Sequence, residues 1–96
     1  HNALSKEDLK HRQISDEPFS FLIIVNSSSE NINSDVLDKL AEHSIPISNS
    51  GLINDGKKSE ITCFYETEEI ASIALQEFLN DLSNLSSNFK MLRIEK

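Results

Sequence analysis

The sequence predicts an α+β sandwich of order βαββαβ: a ferredoxin-like fold with a four-stranded antiparallel sheet, two helices on one of its faces and a short N-terminal helix in front. Three observations predict it. The uninterrupted apolar run from Phe21 to Val25 reads as a buried strand. Ile70, Ile73, Ala74, Phe78 and Leu82, joined by Leu75 and Leu79, form a broad apolar stripe at helical spacing. Between them, Asn54-Asp55-Gly56 is a tight-turn sequence flanked by two stretches of extended pattern, the signature of a hairpin. Right-handed crossovers then close the sheet most simply in the order 4-1-3-2.

Residues 1–18 form a charged lead-in segment and residues 19–96 the folded domain. In the lead-in, Ser5 and Asp8 are spaced as a capping box before a short helix that ends near Gln13. Pro18 pushes Glu17 towards extended geometry and opens the first strand, about 19–26. Ser34 is placed to cap the first helix, whose stripe is Val36, Leu37, Leu40 and Ala41. Pro46 disfavours helical geometry at Ile45, so that helix should stop near Ser44. An extended piece over 45–53 follows, with Gly51 expected at a bulge or bend, and the return strand spans 59–66. Thr67 is the expected cap of the second helix, with Glu68 and Glu69 favourably set against its dipole. The last strand is "FKMLRIEK", in which either alternating set of side chains could face inwards.

Composition narrows the function. Nine basic against sixteen acidic residues give a net charge of −7, and no stretch gathers Lys and Arg into a stripe, so no direct nucleic-acid contact is expected. No apolar stretch approaches the roughly 18 residues of a membrane span, so any membrane attachment would come from a segment outside this chain. The start at His1-Asn2, without an initiator methionine, suggests an excised or mature piece of something longer. Cys63 lies inside "ITCFY" and reads as a small buried hydrophobe.

No catalytic residue, metal site or cofactor is expected, and the chain reads as a non-enzyme. With only two glycines, neither a nucleophile elbow nor a glycine-rich phosphate loop can be written. His1, His11 and His43 lack the partner spacing of a zinc site, and His43 is simply favourable at a helix C-terminus. The serine-rich loop after the first strand has neither a glycine nor a basic residue, so it reads as a plain connection.

What the fold leaves unexplained is the second face of the first strand. Phe19, Phe21, Ile23 and Val25 make the better core set, which turns Ser20, Leu22 and Ile24 to the other side. Matching the return strand by apolarity brings Thr62, Phe64 and Glu66 to that same open face. Ser20, Leu22, Ile24, Thr62 and Phe64 are therefore the candidate residues facing a partner or ligand, because a large apolar patch on an exposed face marks an interaction site; the alternative is that the lead-in helix or a loop of the same chain folds across this face.

The charged lead-in, the strand-helix-hairpin order and the ending "FKMLRIEK" resemble the periplasmic domains of ToxR-type transmembrane transcription regulators, and the Ser/Asn/Ile/Lys-rich composition is similar to that of the family's bile-salt sensors. The resemblance implies a sensor domain on the periplasmic side of the bacterial inner membrane. It further implies an obligate β-barrel partner encoded nearby and an amphipathic ligand such as a bile salt held between the two chains. No ligand residue can be carried over, because no motif maps. Two alternatives stay open: a stand-alone acidic immunity or inhibitor protein, acting in the cytoplasm against a basic target, and an amino-acid-binding regulatory module like the ACT domains, which share the βαββαβ order.

Overall fold

A computed structural model describes residues 17–55 and 59–95. The expected lead-in helix and the tip of the hairpin lie outside the described residues. Strand β1 (Ser20–Ser27) leads to helix α1 (Ile32–Glu42), then to the hairpin strands β2 (Ile47–Asp55) and β3 (Ile61–Thr67). A 3₁₀ turn (Ser72–Leu75) runs into helix α2 (Gln76–Leu85), and β4 (Asn88–Ile94) closes the unit. The sheet order is β2-β3-β1-β4 with every neighbouring pair antiparallel, the ferredoxin-like arrangement that the element order predicts.

Alternation along β1 decides where the core lies. Phe21, Ile23 and Val25 point to the helices and are buried, together with Cys63 and Tyr65 from β3. Against them pack Ile32, Val36 and Leu40 of α1, Leu75 of the 3₁₀ turn, and Phe78 and Leu82 of α2. The Tyr65 hydroxyl keeps a polar partner inside this core: it donates to Asn33 Oδ1 at 2.8 Å and lies 3.0 Å from Cys63 Sγ. Burial pushes the Cys63 thiol up, which keeps it protonated and inert, in accord with its reading as a buried small residue.

The helix boundaries depart from the sequence expectation for identifiable reasons. Ser34 does not cap α1; the cap position is Asn31, three residues earlier, and the Ser34 hydroxyl donates to the Asn31 carbonyl at 3.1 Å. Thr67 does not cap α2 either. It ends β3, fully buried, where its Oγ1 accepts the Phe21 N–H at 3.0 Å. The residues after it are drawn into extended backbone, because Glu68 N–H bonds Pro46 O at 3.0 Å and Phe19 and Ile70 exchange two backbone bonds, 2.9 and 3.0 Å. Helical geometry therefore begins only at Ser72.

The C-terminus of α1 stops where Pro46 requires. Ile45 N–H reaches back to Leu40 O at 2.9 Å and Ser44 N–H to Ala41 O at 3.0 Å, the two bonds of a Schellman cap. Ile45 and Leu40, both buried, supply the apolar contact that accompanies it. His43, at the cap, meets Asp81 of α2 at 2.7 Å and its ring packs edge-to-face with that of Phe78, which ties the two helices together. The hydrogen bond from His43 holds the Asp81 carboxyl below its ordinary value.

Ser44 occupies the left-handed position of that cap, φ 55°, where a Cβ is strained and glycine is favoured. Ser44→Gly is expected to raise the free energy of unfolding by about 0.5–1 kcal/mol, measured by urea titration. A loss of stability would contradict this account of the cap.

Candidate functional site

The helices cover one face of the sheet; the register of the strands shows what the other face carries. Ile24 of β1 stands between Phe64 of β3 and Lys90 of β4, and Leu22 between Glu66 and Leu92. Asn26 stands between Thr62 and Asn88, and Ser20 beside Ile94. The structure thus brings all five residues singled out from the sequence to a single face. Leu22, Ile24 and Phe64 form its centre and are only half buried. Thr62 lies at one end, where its Oγ1 accepts a hydrogen bond from Asn26 Nδ2 at 2.8 Å. Ser20 lies at the other end, where the face meets a cleft.

Two members of the patch escaped sequence reading. Leu92, 51% exposed, and Ile94 extend it onto β4, while Phe89 and Met91 turn to the core. The alternation of β4 is apolar in both sets, so only the pairing of Val25 with Phe89 and of Ile23 with Met91 settles which side faces in. Arg93 falls in the core-facing set and escapes burial at the sheet end, where its guanidinium lies 4.1 Å over the Phe19 ring.

Gly51 is not itself the bulge that its residue type suggests. The register shifts of the β2–β3 pair fall on either side of it, between Ile47 and Asn49 and between Leu52 and Asn54. Gly51 pairs with Phe64, and a Cβ built there would meet Phe64 Cε2 at 2.8 Å. The missing side chain lets the Phe64 ring lie across β2 on the open face, so this glycine shapes the patch by giving way to an aromatic ring.

The concavities are of another character. An open cleft of about 530 Å³ at the end of the sheet is lined by Ser20, Ser48, Thr67, Glu68 and Glu69. A smaller one of about 220 Å³ is lined by Pro18, Phe19, Ser20, Glu69, Ile94 and Glu95. Both are acidic in their charged lining, and the one buried hydroxyl among these groups, Thr67, is engaged with Phe21. Among the described residues no three His, Cys, Asp or Glu side chains gather as a metal-binding set, and no helix is long and apolar enough to cross a membrane.

The loop after β1 closes on itself. Ser27 Oγ accepts the Ser29 N–H at 3.1 Å, and Ser29 Oγ accepts the Asn31 N–H at 3.3 Å. These local turns occupy donors that a ligand loop would turn outwards.

No family model matches the chain, and no curated protein matches it. Solved structures do. A homoserine dehydrogenase from Thiobacillus denitrificans superposes with a TM-score of 0.68 at 13% identity, over 82% of this chain and 18% of that one. A formyltetrahydrofolate deformylase from Pseudomonas syringae gives 0.57 at 14% identity, over 91% of this chain and 32% of the enzyme. The C-terminal domain of the MgtC protein from Mycobacterium tuberculosis gives 0.56 at 12% identity, over 82% of this chain and 88% of that domain. The chain therefore spans less than a fifth of the homoserine dehydrogenase, and at such identities the likeness is one of fold alone.

The role given to Gly51 has a direct check. Gly51→Ala is expected to cost about 1 kcal/mol in urea unfolding, because the new methyl displaces the Phe64 ring. In a Phe64→Ala background the same change should be neutral or slightly stabilising, since the clash is gone and the unfolded chain loses freedom. Equal costs in the two backgrounds would show that the ring is not what the glycine accommodates.

Proposed function

We propose that this chain is a non-catalytic sensory or interaction module that works by laying its open sheet face against another folded protein. One observation supports this above the rest: Leu22, Ile24, Phe64, Leu92 and Ile94 run together across three strands on the side away from the helices. Covering a large aliphatic or aromatic side chain contributes at most about 1.5–3 kcal/mol, while association costs roughly 4–15 kcal/mol. A stable complex therefore needs most of the patch covered together, which a protein surface does and a small ligand does not.

The resemblance to ToxR-type sensors adds the finer reading: the partner is a β-barrel protein encoded nearby, and the pair takes up an amphipathic molecule such as a bile salt on the periplasmic side. That part rests on the sequence, because the structural neighbours are named as other kinds of protein. The clefts on this chain bear on how such a ligand would sit. Their carboxylates, Glu68, Glu69 and Glu95, repel an anionic head group, so an apolar chamber would have to be completed by the partner.

The module reading is also supported by proportion. In the homoserine dehydrogenase and the deformylase the matching fold is a minor part of a longer chain, 18% and 32%.

The test is to co-express the chain with the product of the neighbouring gene and follow co-elution for the wild type, Leu22→Asp and Phe64→Asp. Each variant is expected to keep its far-UV circular dichroism and a cooperative melt while binding the partner at least about tenfold more weakly. Folded variants that co-elute as well as the wild type would end the proposal.

A further inference from the structure

The open face differs from the rest of the molecule in its charge. The chain carries −7, yet the outward residues of the four strands on this face include one acid, Glu66, and one base, Lys90. Among the described residues neither side chain enters an ion pair; the pairs formed are Lys39 with Glu42, His43 with Asp81 and Arg93 with Glu95. The two lie diagonally across the apolar centre. Glu66 is level with Leu22, one strand towards β2, and Lys90 is level with Ile24, one strand towards β4.

Resting on the reading of this face as a docking surface, we infer that in the chain by itself the occupant it fits is a second copy of the chain, with the two sheets face to face. A two-fold axis lying between the sheets and perpendicular to the line from Glu66 to Lys90 carries each acid over the other copy's base. That axis runs between Ile24 and Phe64 and between Leu22 and Leu92, so the same operation sets Ile24 of each copy against Phe64 of the other, and Leu22 against Leu92. That is the self-complementarity an isologous interface requires. Elsewhere the surplus of acid makes two copies repel, so a neutral face with an apolar centre is where they can approach. Two equivalent charge pairs form at once, and reversing one charge turns both from attractive to repulsive.

Sedimentation equilibrium of the whole chain, from about 10 to about 500 μM, spans the range in which a weak dimer populates. The wild type should show a monomer–dimer equilibrium. Glu66→Lys and Lys90→Glu should each weaken it by roughly tenfold or more, and the double exchange should restore it. Leu92→Asp, at a half-exposed position that cannot unfold the core, should abolish it. A wild type that stays monomeric throughout, a dimer indifferent to Leu92→Asp, or a double exchange no better than the singles would each overturn the inference. If the wild type is monomeric but co-elutes with the neighbouring gene's product through Leu22, the second copy is refuted while the docking face stands; if neither partner binds, both fall.

Discussion

Everything in this structure depends on the position of β1. It is paired on both sides, with β3 and with β4, so each of its residues lies inside the sheet and each of its two rows has to find a neighbour above or below. One row is satisfied within the chain: Ile23 and Val25 are completely buried under both helices. The other row, Leu22 and Ile24, is equally apolar and, among the described residues, meets the outward residues of its own sheet. A strand with two apolar faces in a two-layer fold calls for a third layer.

Much of the fold was legible because it rests on periodicity. The stripe through Phe78 and Leu82, the burial of Cys63 and Tyr65, and the stop of α1 before Pro46 all follow from spacing or from a single stereochemical rule. What was not legible depends on contacts between distant residues. Thr67 has the composition of a helix cap, but a strand 46 residues away offers an unpaired N–H at Phe21, and the hydroxyl goes there. Ser34 suits a cap in isolation, but α1 already begins at Ile32, whose side chain is needed in the core. Gly51 promised a bend and instead makes room for Phe64, a partner named only by register.

The candidate site shows the same division. Ser20, Leu22, Ile24, Thr62 and Phe64 could be assigned to one face because alternation in β1 and β3 is unambiguous once the core set is chosen. The extension through Leu92 and Ile94 was hidden, since β4 is apolar in both registers. The features that first attract functional interest carry less. The serine-rich loop consumes its own hydrogen bonds, and the clefts are open and acid-lined. Weight therefore falls on a surface whose chemistry is apolar area with one balanced pair of charges.

The central claim is that Leu22 and Ile24 face solvent in a single chain and are covered when it associates. Methyl NMR with a soluble paramagnetic agent tests this directly. In dilute protein the Leu22, Ile24 and Leu92 methyls should broaden while those of Ile23 and Val25 do not, and the broadening should fade as the associated form saturates. Leu22 and Ile24 methyls as protected as Ile23 at every dilution would mean that the face is already covered within one chain, and would contradict the account.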